Sequence, residues 1–336
     1  MSYTVTLESS GKTFHIKPSQ TILEAALEAG ITIPYGCMSG MCGSCKIKLE
    51  SGDVMLEDYQ ESALSQEEKS AGLILSCQAL ATENITINIG EIEECDVIES
   101  KIIPIKVKSL EKLNADVIKM MLKLPENESL AFKAGQYIEF IMADDSRRAF
   151  SLANPPHEKI IELHLRLIEG GKFTDFVLNE MKEKSIHRIE APIGQLYLRD
   201  SEKPIIFVAG GTGFAPVKSI IEDMIFNNIN RPIFLYRGVE KFDDVYMHDL
   251  SSEWADTIDE FSYTLVSENH SEKNNHLRIG LVHEAVLEDF QSFKNIQVYC
   301  CGAPGLVQTA FEAFVKKGLS EDEFFADAYA LAALKQ

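Results

Sequence analysis

The loop Gly36-Cys-Met-Ser-Gly-Met-Cys-Gly-Ser-Cys45 decides how this chain is interpreted. It places Cys37, Cys42 and Cys45 in the spacing C-x4-C-x2-C, and Cys77 follows after 31 intervening residues. Three thiolates on one loop can hold most of a metal cluster, and a fourth from a distant segment can complete the ligand set. We therefore expect the N-terminal part of the chain to fold around these four cysteines.

The spacing is that of the plant-type [2Fe–2S] cluster, a carrier of single electrons. Gly36, Gly40 and Gly43 permit backbone angles that a side chain forbids, so that N–H groups can turn toward the anionic sulfur atoms and tune the cluster's potential. Zinc is the alternative metal, because Cys42 and Cys45 form a CxxC pair. Zinc ribbons usually present two such pairs, whereas Cys77 has no second cysteine nearby.

The composition is that of an ordinary globular chain with a large excess of acid. Its 336 residues are 45% apolar and 25% charged, and this length favours two or three domains. A net charge of −20 would repel phosphates, which excludes nucleic acid as a partner. The acidic excess has two explanations that can both hold, solubility and the steering of a basic partner.

The expected location follows from what the sequence lacks and from its cysteines. There is no run of about eighteen apolar residues and no basic-then-apolar start, so we expect neither a membrane span nor a secretory signal. Seven cysteines, four of them assigned to iron, fit a reducing compartment better than a disulfide scaffold. The cytoplasm is the expected compartment.

The apolar pattern changes along the chain, which predicts a multidomain protein. In residues 1–92 it predicts a β-grasp domain of the α+β class, with a capping box at Thr21-Ile-Leu-Glu24 that begins a short helix. Residues 93–100 are rich in charge and show no regular spacing of apolar residues, as is typical of a linker. Residues 101–200 predict an antiparallel β-barrel with one helix, and residues 201–336 predict a doubly wound α/β domain.

Two segments of the predicted barrel together form an anion site. Arg148-Ala-Phe-Ser151 lies at a strand end, and Gly170-Gly-Lys-Phe-Thr174 begins the single helix. A helix N-terminus preceded by glycines offers N–H groups to a diphosphate, and Arg148 adds a planar charged fork. Each motif alone also has an ordinary explanation, a solvated arginine and a glycine turn.

Two segments of the α/β domain suggest a second nucleotide site. Ile205-Ile-Phe-Val-Ala-Gly-Gly-Thr-Gly213-Phe-Ala-Pro216 is a strand, a glycine turn and a helix start, where a glycine-rich loop can hold a diphosphate. It differs from the dinucleotide pattern G-x-G-x-x-G. Downstream, Val298-Tyr-Cys-Cys-Gly-Ala-Pro304 ends another strand.

Together these motifs resemble the ferredoxin–NAD(P)+ reductase superfamily, in the form that carries an N-terminal plant-type [2Fe–2S] ferredoxin domain. The resemblance implies that the barrel binds FAD, with Arg148 at the diphosphate, Phe150 along the flavin and the Ser151 hydroxyl near flavin N5. Phe150 replaces the family's usual tyrosine, so its phenolic hydrogen bond is lost. It also implies that the α/β domain binds NADH or NADPH.

The resemblance assigns roles to individual positions. The implied catalytic residues are Ser151, Cys301 and Asp327. The implied cofactor-binding residues are Arg148, Phe150, Ser151, Gly170, Gly171, Lys172, Phe173, Thr174, Gly210, Gly211, Thr212, Gly213, Pro216, Glu240, Cys301, Gly302 and Pro304. The implied metal ligands are Cys37, Cys42, Cys45 and Cys77.

Three of these assignments have either an alternative explanation or a neighbouring residue whose charge would oppose the assigned role. Cys301 is implied to lie beside the nicotinamide, or it is a buried strand cysteine of the usual kind. Asp327 is implied to lie near flavin and nicotinamide, or it belongs to a packed terminal strand. Glu240 is expected to accept a hydrogen bond from a ribose 2′-hydroxyl and to repel a 2′-phosphate, which favours NADH over NADPH. Arg237 would oppose that preference if it pointed into the site.

The implied function is electron transfer from NADH through FAD and the [2Fe–2S] cluster to a protein partner. Within the superfamily the chain most resembles the CDP-6-deoxy-Δ3,4-glucoseen reductases, and next the reductase components of multicomponent oxygenases. The expected acceptor is therefore a dehydratase-type protein of deoxysugar synthesis or an oxygenase component. Two alternatives are a diaphorase or flavin reductase acting on small acceptors, and a non-enzymatic electron-transfer module.

Overall fold

The computed structural model describes residues 2–31, 33–36, 38, 40, 43–61, 63–89, 98–269 and 277–328. The chain divides into two compact units, Met1–Ile98 and Glu99–Gln336. Of the predicted linker, residues 93–97 lie outside the described residues, as do residues 329–336 at the end of the predicted α/β domain. The predicted domain boundaries stay predictions.

The described part of the first unit is a mixed sheet with two short helices. Its elements are β1 (Tyr3–Leu7), β2 (Thr13–Ile16), α1 (Ile22–Glu28), β3 (Lys46–Ser51), β4 (Val54–Leu56), α2 (Gln66–Ser70), β5 (Leu73–Leu75), β6 (Ala79–Ala81) and β7 (Ile85–Asn88). The main sheet has the order β2-β1-β7-β3-β5, with β1 and β7 parallel, and β4 pairs with β6 separately. Alternating residues such as Val5, Leu7 and Ile87 point into the core.

Helix α1 begins where the sequence predicts. The Thr21 hydroxyl accepts from the Glu24 N–H at 3.2 Å, and the Glu24 carboxylate accepts from the Thr21 N–H at 2.9 Å. This reciprocal pair satisfies two of the N–H groups that a helix start leaves without partners. The capping box is therefore confirmed, and the cysteine loop follows this helix.

The first half of the second unit is a six-stranded antiparallel sheet that nearly closes. Its elements are β8 (Lys101–Lys112), β9 (Val117–Lys123), β10 (Tyr137–Ile141), β11 (Arg147–Ser151), β12 (Ile160–Arg166), α3 (Lys172–Asn179) and β13 (Ile186–Ile193). The order is β11-β10-β13-β8-β9-β12, and a bridge between Leu152 and Leu163 links the two edges. The barrel-like core lies inside, with α3 packed against it through Phe173 and Val177.

The second half of this unit is a six-stranded parallel sheet. Its elements are β14 (Ile205–Gly210), α4 (Phe214–Phe226), β15 (Ile233–Val239), α5 (His248–Thr257), β16 (Phe261–Ser267), β17 (Arg278–Ile279), α6 (Val282–Asp289), β18 (Gln297–Gly302), α7 (Pro304–Lys316) and β19 (Phe324–Ala328). The order β17-β16-β15-β14-β18-β19 shows that the chain runs outward from β14 and then returns to its other side. Ligands of such sheets bind beyond the strands' carboxyl ends where the direction reverses, here at β14 and β18.

Within the described part of the chain, no helix combines the length and apolar character that crossing a bilayer requires.

Candidate cofactor-binding sites

Two of the four predicted metal ligands are described, and the structure places them together. Cys45 precedes β3 and Cys77 follows β5, and the pairing of Lys46 with Leu75 draws the two ends of these strands together. The sulfur atoms are 3.2 Å apart, well beyond the S–S bond length of about 2.05 Å. Both thiols are buried and within reach of one metal ion, so this pair fits the predicted cluster. Cys37 and Cys42 lie outside the described residues.

The backbone around this cysteine pair depends on glycine. Gly40 and Gly43 have φ of 71° and 75°, the left-handed region that glycine favours. A Cβ on Gly40 would lie 2.9 Å from side-chain carbons of both Tyr59 and Gln78. The Gln78 amide in turn donates to the Cys77 sulfur at 3.6 Å. Within the described residues, no group of three or more His, Cys, Asp or Glu gathers to bind a metal, and these residues include only two of the predicted ligands.

The two halves of the predicted flavin site meet in the structure. Arg148 and Phe150 lie half-buried on one face of the edge strand β11, while Ser151 at its end is buried. The Phe150 ring packs on the ring of Phe173, in the first turn of α3, with centroids 4.7 Å apart. The end of strand β11 and the N-terminus of helix α3 therefore form one surface. This is the arrangement that would let both elements hold the same diphosphate.

The turn before α3 is shaped by its glycines and by a side-chain cap. Gly170 has φ of 70°, and a Cβ on Gly171 would lie 2.9 Å from the Ile168 carbonyl oxygen. The Thr174 hydroxyl accepts from the Ile168 N–H at 2.8 Å, so it holds the turn as well as facing the helix start. The Lys172 ammonium pairs with the Asp144 carboxylate, which lowers the pKa of that carboxyl.

The glycine turn after β14 is pressed against the end of β18. A Cβ on Gly213 would lie 2.2 Å from the Cys301 carbonyl oxygen, and one on Gly210 would lie 2.8 Å from a methyl carbon of Leu306. The N-termini of α4 and α7 therefore begin beside the same crevice, with Pro304 as the first residue of α7. Two helix N-termini at the switch point of a parallel sheet form a suitable site for a dinucleotide diphosphate.

Cys301 and Asp327 are neighbours across β18 and β19, where their Cα atoms pair. Cys301 is 0% exposed and packs in the same core cluster as Ala209 and Phe214. Burial, together with the charge of Asp327, raises the pKa of its thiol well above the ordinary value. Cys301 is thus a neutral, buried strand thiol whose backbone oxygen meets the glycine turn. Asp327 is buried too.

Arg237, the residue expected to oppose an NADH preference, is 2% exposed and points into the protein. It donates to the Tyr246 carbonyl at 2.7 Å and to the Ser251 hydroxyl at 3.1 Å. Its guanidinium carbon lies 3.7 Å from the centroid of the Phe214 ring. Glu240, just beyond β15, is exposed instead. The neighbouring Lys241 is exposed too, with its ammonium 3.9 Å from the Glu240 carboxylate. Together with the exposed Asp243, the carboxylates outnumber this one ammonium at the strand end.

Sequence reasoning missed a cation beside the glycine turn. A Cβ on Gly211 would lie 3.8 Å from a terminal nitrogen of Arg166, which ends β12 in the barrel half. Asp116 lies 3.4 Å from the same guanidinium. Arg166 lies 45 positions from the turn in the sequence, so only the packing of the two halves reveals this proximity.

Family comparisons agree with this three-part arrangement. The profile of the 2Fe-2S iron-sulfur cluster binding domain matches residues 5–82, and that of the oxidoreductase FAD-binding domain matches residues 104–197. The oxidoreductase NAD-binding domain matches residues 207–312. The chain belongs to the family of iron–sulfur flavoprotein reductases that join these three domains.

Particular relatives span nearly the whole chain. The CDP-6-deoxy-L-threo-D-glycero-4-hexulose-3-dehydrase reductase of Yersinia pestis is 38% identical, with 98% of this chain and 99% of the relative covered. Reductase component 1 of terephthalate 1,2-dioxygenase from Comamonas sp is 33% identical, with 98% of each covered. Among solved structures, the Amycolatopsis cytochrome P450 reductase GcoB has a TM-score of 0.82 at 28% identity, covering 98% of this chain and 99% of its own.

These findings confirm the predicted fold class, the superfamily and the cofactor set of [2Fe–2S], FAD and a nicotinamide nucleotide. They do not distinguish NADH from NADPH. The roles of individual site residues stay predictions.

Gly213→Ala is expected to damage the nicotinamide site, because the new methyl group would overlap the Cys301 carbonyl. Overpacking of this kind costs about 1–3 kcal/mol, and we expect a lower thermal unfolding midpoint. We also expect kcat/KM for NADH-dependent ferricyanide reduction to fall by roughly tenfold or more, since the turn must move.

Gly305→Ala is the matched control, because a Cβ there meets nothing within 4 Å. It lies in the first turn of α7, where alanine should leave the midpoint unchanged or slightly raised. The two variants are compared by their unfolding midpoints, because Gly305 itself lies at a helix start beside the crevice. Equal losses in the midpoint would contradict the close approach at Gly213.

Proposed function

We propose that this chain is an NADH-dependent reductase that passes electrons through FAD and a [2Fe–2S] cluster to a protein acceptor, a dehydratase-type enzyme of deoxysugar synthesis. We further propose that it works in the cytoplasm, where thiols stay reduced. The observation that carries the proposal is the contact between strand β11 and the start of α3, in the same compact unit as the glycine turn after β14, whose Gly211 lies beside Arg166 of β12. Similarity to the Yersinia pestis reductase over 98% of the chain supports the choice of acceptor.

Each cofactor is assigned to residues whose chemistry suits it. Cys37, Cys42, Cys45 and Cys77 would supply thiolates to the iron. Arg148 and the first turn of α3 would hold the FAD diphosphate, and Phe150 would cover the flavin ring. The turn Gly210–Gly213 and the start of α7 would hold the nicotinamide nucleotide, with Arg166 adding positive charge beside Gly211. When bound, the nicotinamide would supply a hydride, the flavin would accept it and release a proton and two electrons one at a time, and the cluster would carry single electrons to the acceptor.

The protein's own groups bind, orient and exclude water. Ser151 is buried at the strand end, where its hydroxyl can orient a flavin edge. Cys301 brings its carbonyl to the glycine turn and keeps its proton, so it contributes shape and a weak S–H donor rather than a nucleophile. Asp327, at the same level on the next strand, would face the nicotinamide end of the crevice.

A second candidate function is electron supply to an oxygenase, which the 33% identity to a terephthalate dioxygenase reductase component favours. Reduction of small acceptors alone is disfavoured, because the ferredoxin domain would then have no use. The two protein acceptors can be compared directly. The rate of NADH oxidation is measured with the Yersinia dehydrase and, separately, with the Comamonas oxygenase as the acceptor. A faster rate with the dehydrase supports a role in deoxysugar synthesis, and a faster rate with the oxygenase supports the second candidate.

Anaerobic titration with NADH tests the electron-transfer function itself. Uptake of about three electrons per chain, two for flavin and one for the cluster, is expected, with bleaching of both visible spectra. Uptake of about two, with the cluster bands unchanged, would place the cluster outside the path and favour small acceptors.

Cys77→Ser is expected to separate flavin reduction from electron export, because it removes a proposed iron ligand. Iron content and reduction of cytochrome c should fall to near background, while NADH–ferricyanide turnover stays within about twofold. Cys300→Ala is the control, since this fully buried cysteine lies in β18 and should leave iron content unchanged. Wild-type cytochrome c reduction by Cys77→Ser would refute the relay.

NADH is expected to be preferred over NADPH by roughly tenfold or more in kcat/KM, because the exposed carboxylates of Glu240 and Asp243 outnumber the ammonium of Lys241 and Arg237 is buried. Glu240→Gln should raise kcat/KM for NADPH and leave that for NADH nearly unchanged. Glu253→Gln, which removes an exposed carboxylate from α5, is the control for net charge. Comparable kcat/KM for the two nucleotides in the wild-type chain would contradict this preference.

A further inference from the structure

A buried lysine joins the two halves of the reductase unit. Lys218 lies in the second turn of α4 and is only 6% exposed. Its ammonium group contacts three oxygen atoms: one of Glu222 at 2.8 Å, the Ala153 carbonyl at 3.1 Å and one of Glu162 at 3.4 Å. Ala153 and Glu162 belong to the barrel half, whereas Lys218 and Glu222 belong to the parallel-sheet half.

Two carboxylates, those of Glu162 and Glu222, face the one ammonium group inside this contact. Burial raises the pKa of Glu222. Burial would raise the pKa of Glu162, but the hydrogen bond from His164 and the charge of Lys218 outweigh it and lower the pKa to about 2. Burial lowers the pKa of His164, which is therefore neutral. Its Nε2–H donates to Glu162 at 2.8 Å, and its Nδ1 accepts from the Tyr246 hydroxyl at 3.0 Å. Lys218 is thus the positive partner of an ionised, buried carboxylate.

A second bond runs in parallel with the lysine. The Ser219 hydroxyl donates to the Asn154 carbonyl at 2.7 Å, and the Asn154 side chain accepts from the Glu162 N–H at 2.8 Å. Asn154 is completely buried. Two successive residues of α4 therefore hold two successive carbonyls of the barrel, in a contact from which solvent is excluded.

The two ends of this contact lie close in the chain to the two proposed cofactor segments. Ala153 follows Ser151 by two residues, directly after the strand that carries Arg148 and Phe150. Helix α4 begins immediately after Gly213, at the end of the glycine turn. A rigid helix and a short extended segment therefore connect Lys218 to both proposed sites. Hydride transfer is sensitive to such placement, because a misplacement of about 1 Å can cost roughly a hundredfold in rate.

We propose that Lys218 is a positioning residue that sets the nicotinamide site in register with the flavin site. The proposal rests on the proposed function, since it concerns hydride transfer from NADH to the flavin. Lys218 touches neither proposed nucleotide segment directly. Its effect should therefore fall on the rate of flavin reduction at saturating NADH and spare the affinity for NADH, which depends on the glycine turn.

The test is stopped-flow reduction of the full-length, cofactor-loaded protein by NADH under anaerobic conditions. Lys218→Met keeps the length of the side chain and removes its charge and its bonds. We expect the limiting rate of flavin reduction to fall by roughly tenfold or more, with the NADH dissociation constant within about threefold of the wild-type value. Ser219→Ala removes one neutral hydrogen bond and should lower the limiting rate by a smaller factor. It should also fold, so it tests the same contact if Lys218→Met fails to fold.

Tyr236→Phe is the control for general loss of packing. It removes a partly buried hydrogen bond of 2.6 Å to Asp289 that lies wholly within the parallel-sheet half. We expect its limiting rate to stay within about twofold of wild type, even where its unfolding midpoint falls.

The three variants together decide for or against the proposed role of Lys218. A lower limiting rate at unchanged affinity in Lys218→Met and Ser219→Ala, and not in Tyr236→Phe, supports the proposal. Wild-type rates in both contact variants, or equal losses in all three, overturn it. Absence of flavin reduction in the wild-type chain would instead mean that the proposed function fails.

Discussion

The Cys301 carbonyl oxygen occupies the space that any side chain at residue 213 would need, and much of the reductase unit follows from this contact. Because the backbones of the glycine turn and of β18 touch, helices α4 and α7 begin side by side at the carboxyl edge of the sheet. Their N–H groups and dipoles then point into one crevice. The direction of α4 from that crevice also determines which of its residues reach the barrel half.

Electrostatic balance explains why charged groups can lie between the halves. An isolated buried ammonium or carboxylate is strongly disfavoured, but the Lys218 ammonium pairs with the carboxylates of both Glu222 and Glu162, and a neutral His164 completes the hydrogen bonds of Glu162. Hydrogen bonds and ion pairs are directional, so they restrict the relative orientation of the barrel half and the parallel-sheet half more than apolar contacts do. Arg237 is buried by a different means, with carbonyl, hydroxyl and aromatic partners.

The sequence predicted what local patterns encode. The capping box at Thr21, the alternating strands and the change from antiparallel to parallel rhythm were each visible in short windows. Helix α5 has only a faint apolar signal in the sequence, since His248–Thr257 is mostly polar and buries little more than Ser251 and Trp254. The partners of Arg166 and Lys218 were also hidden. Contacts between residues far apart in the chain depend on tertiary packing, which no local pattern records.

The burial of Cys301 has a consequence for oxidative damage. Peroxides attack the thiolate form of cysteine, and a thiol that keeps its proton and is closed to solvent reacts slowly. Cys301 meets both conditions, although it ends the strand beside which a redox cofactor is proposed to bind. Its backbone shapes the crevice while its sulfur stays in the core. Cys301 is therefore a poorer target for peroxide than an exposed, ionised cysteine would be.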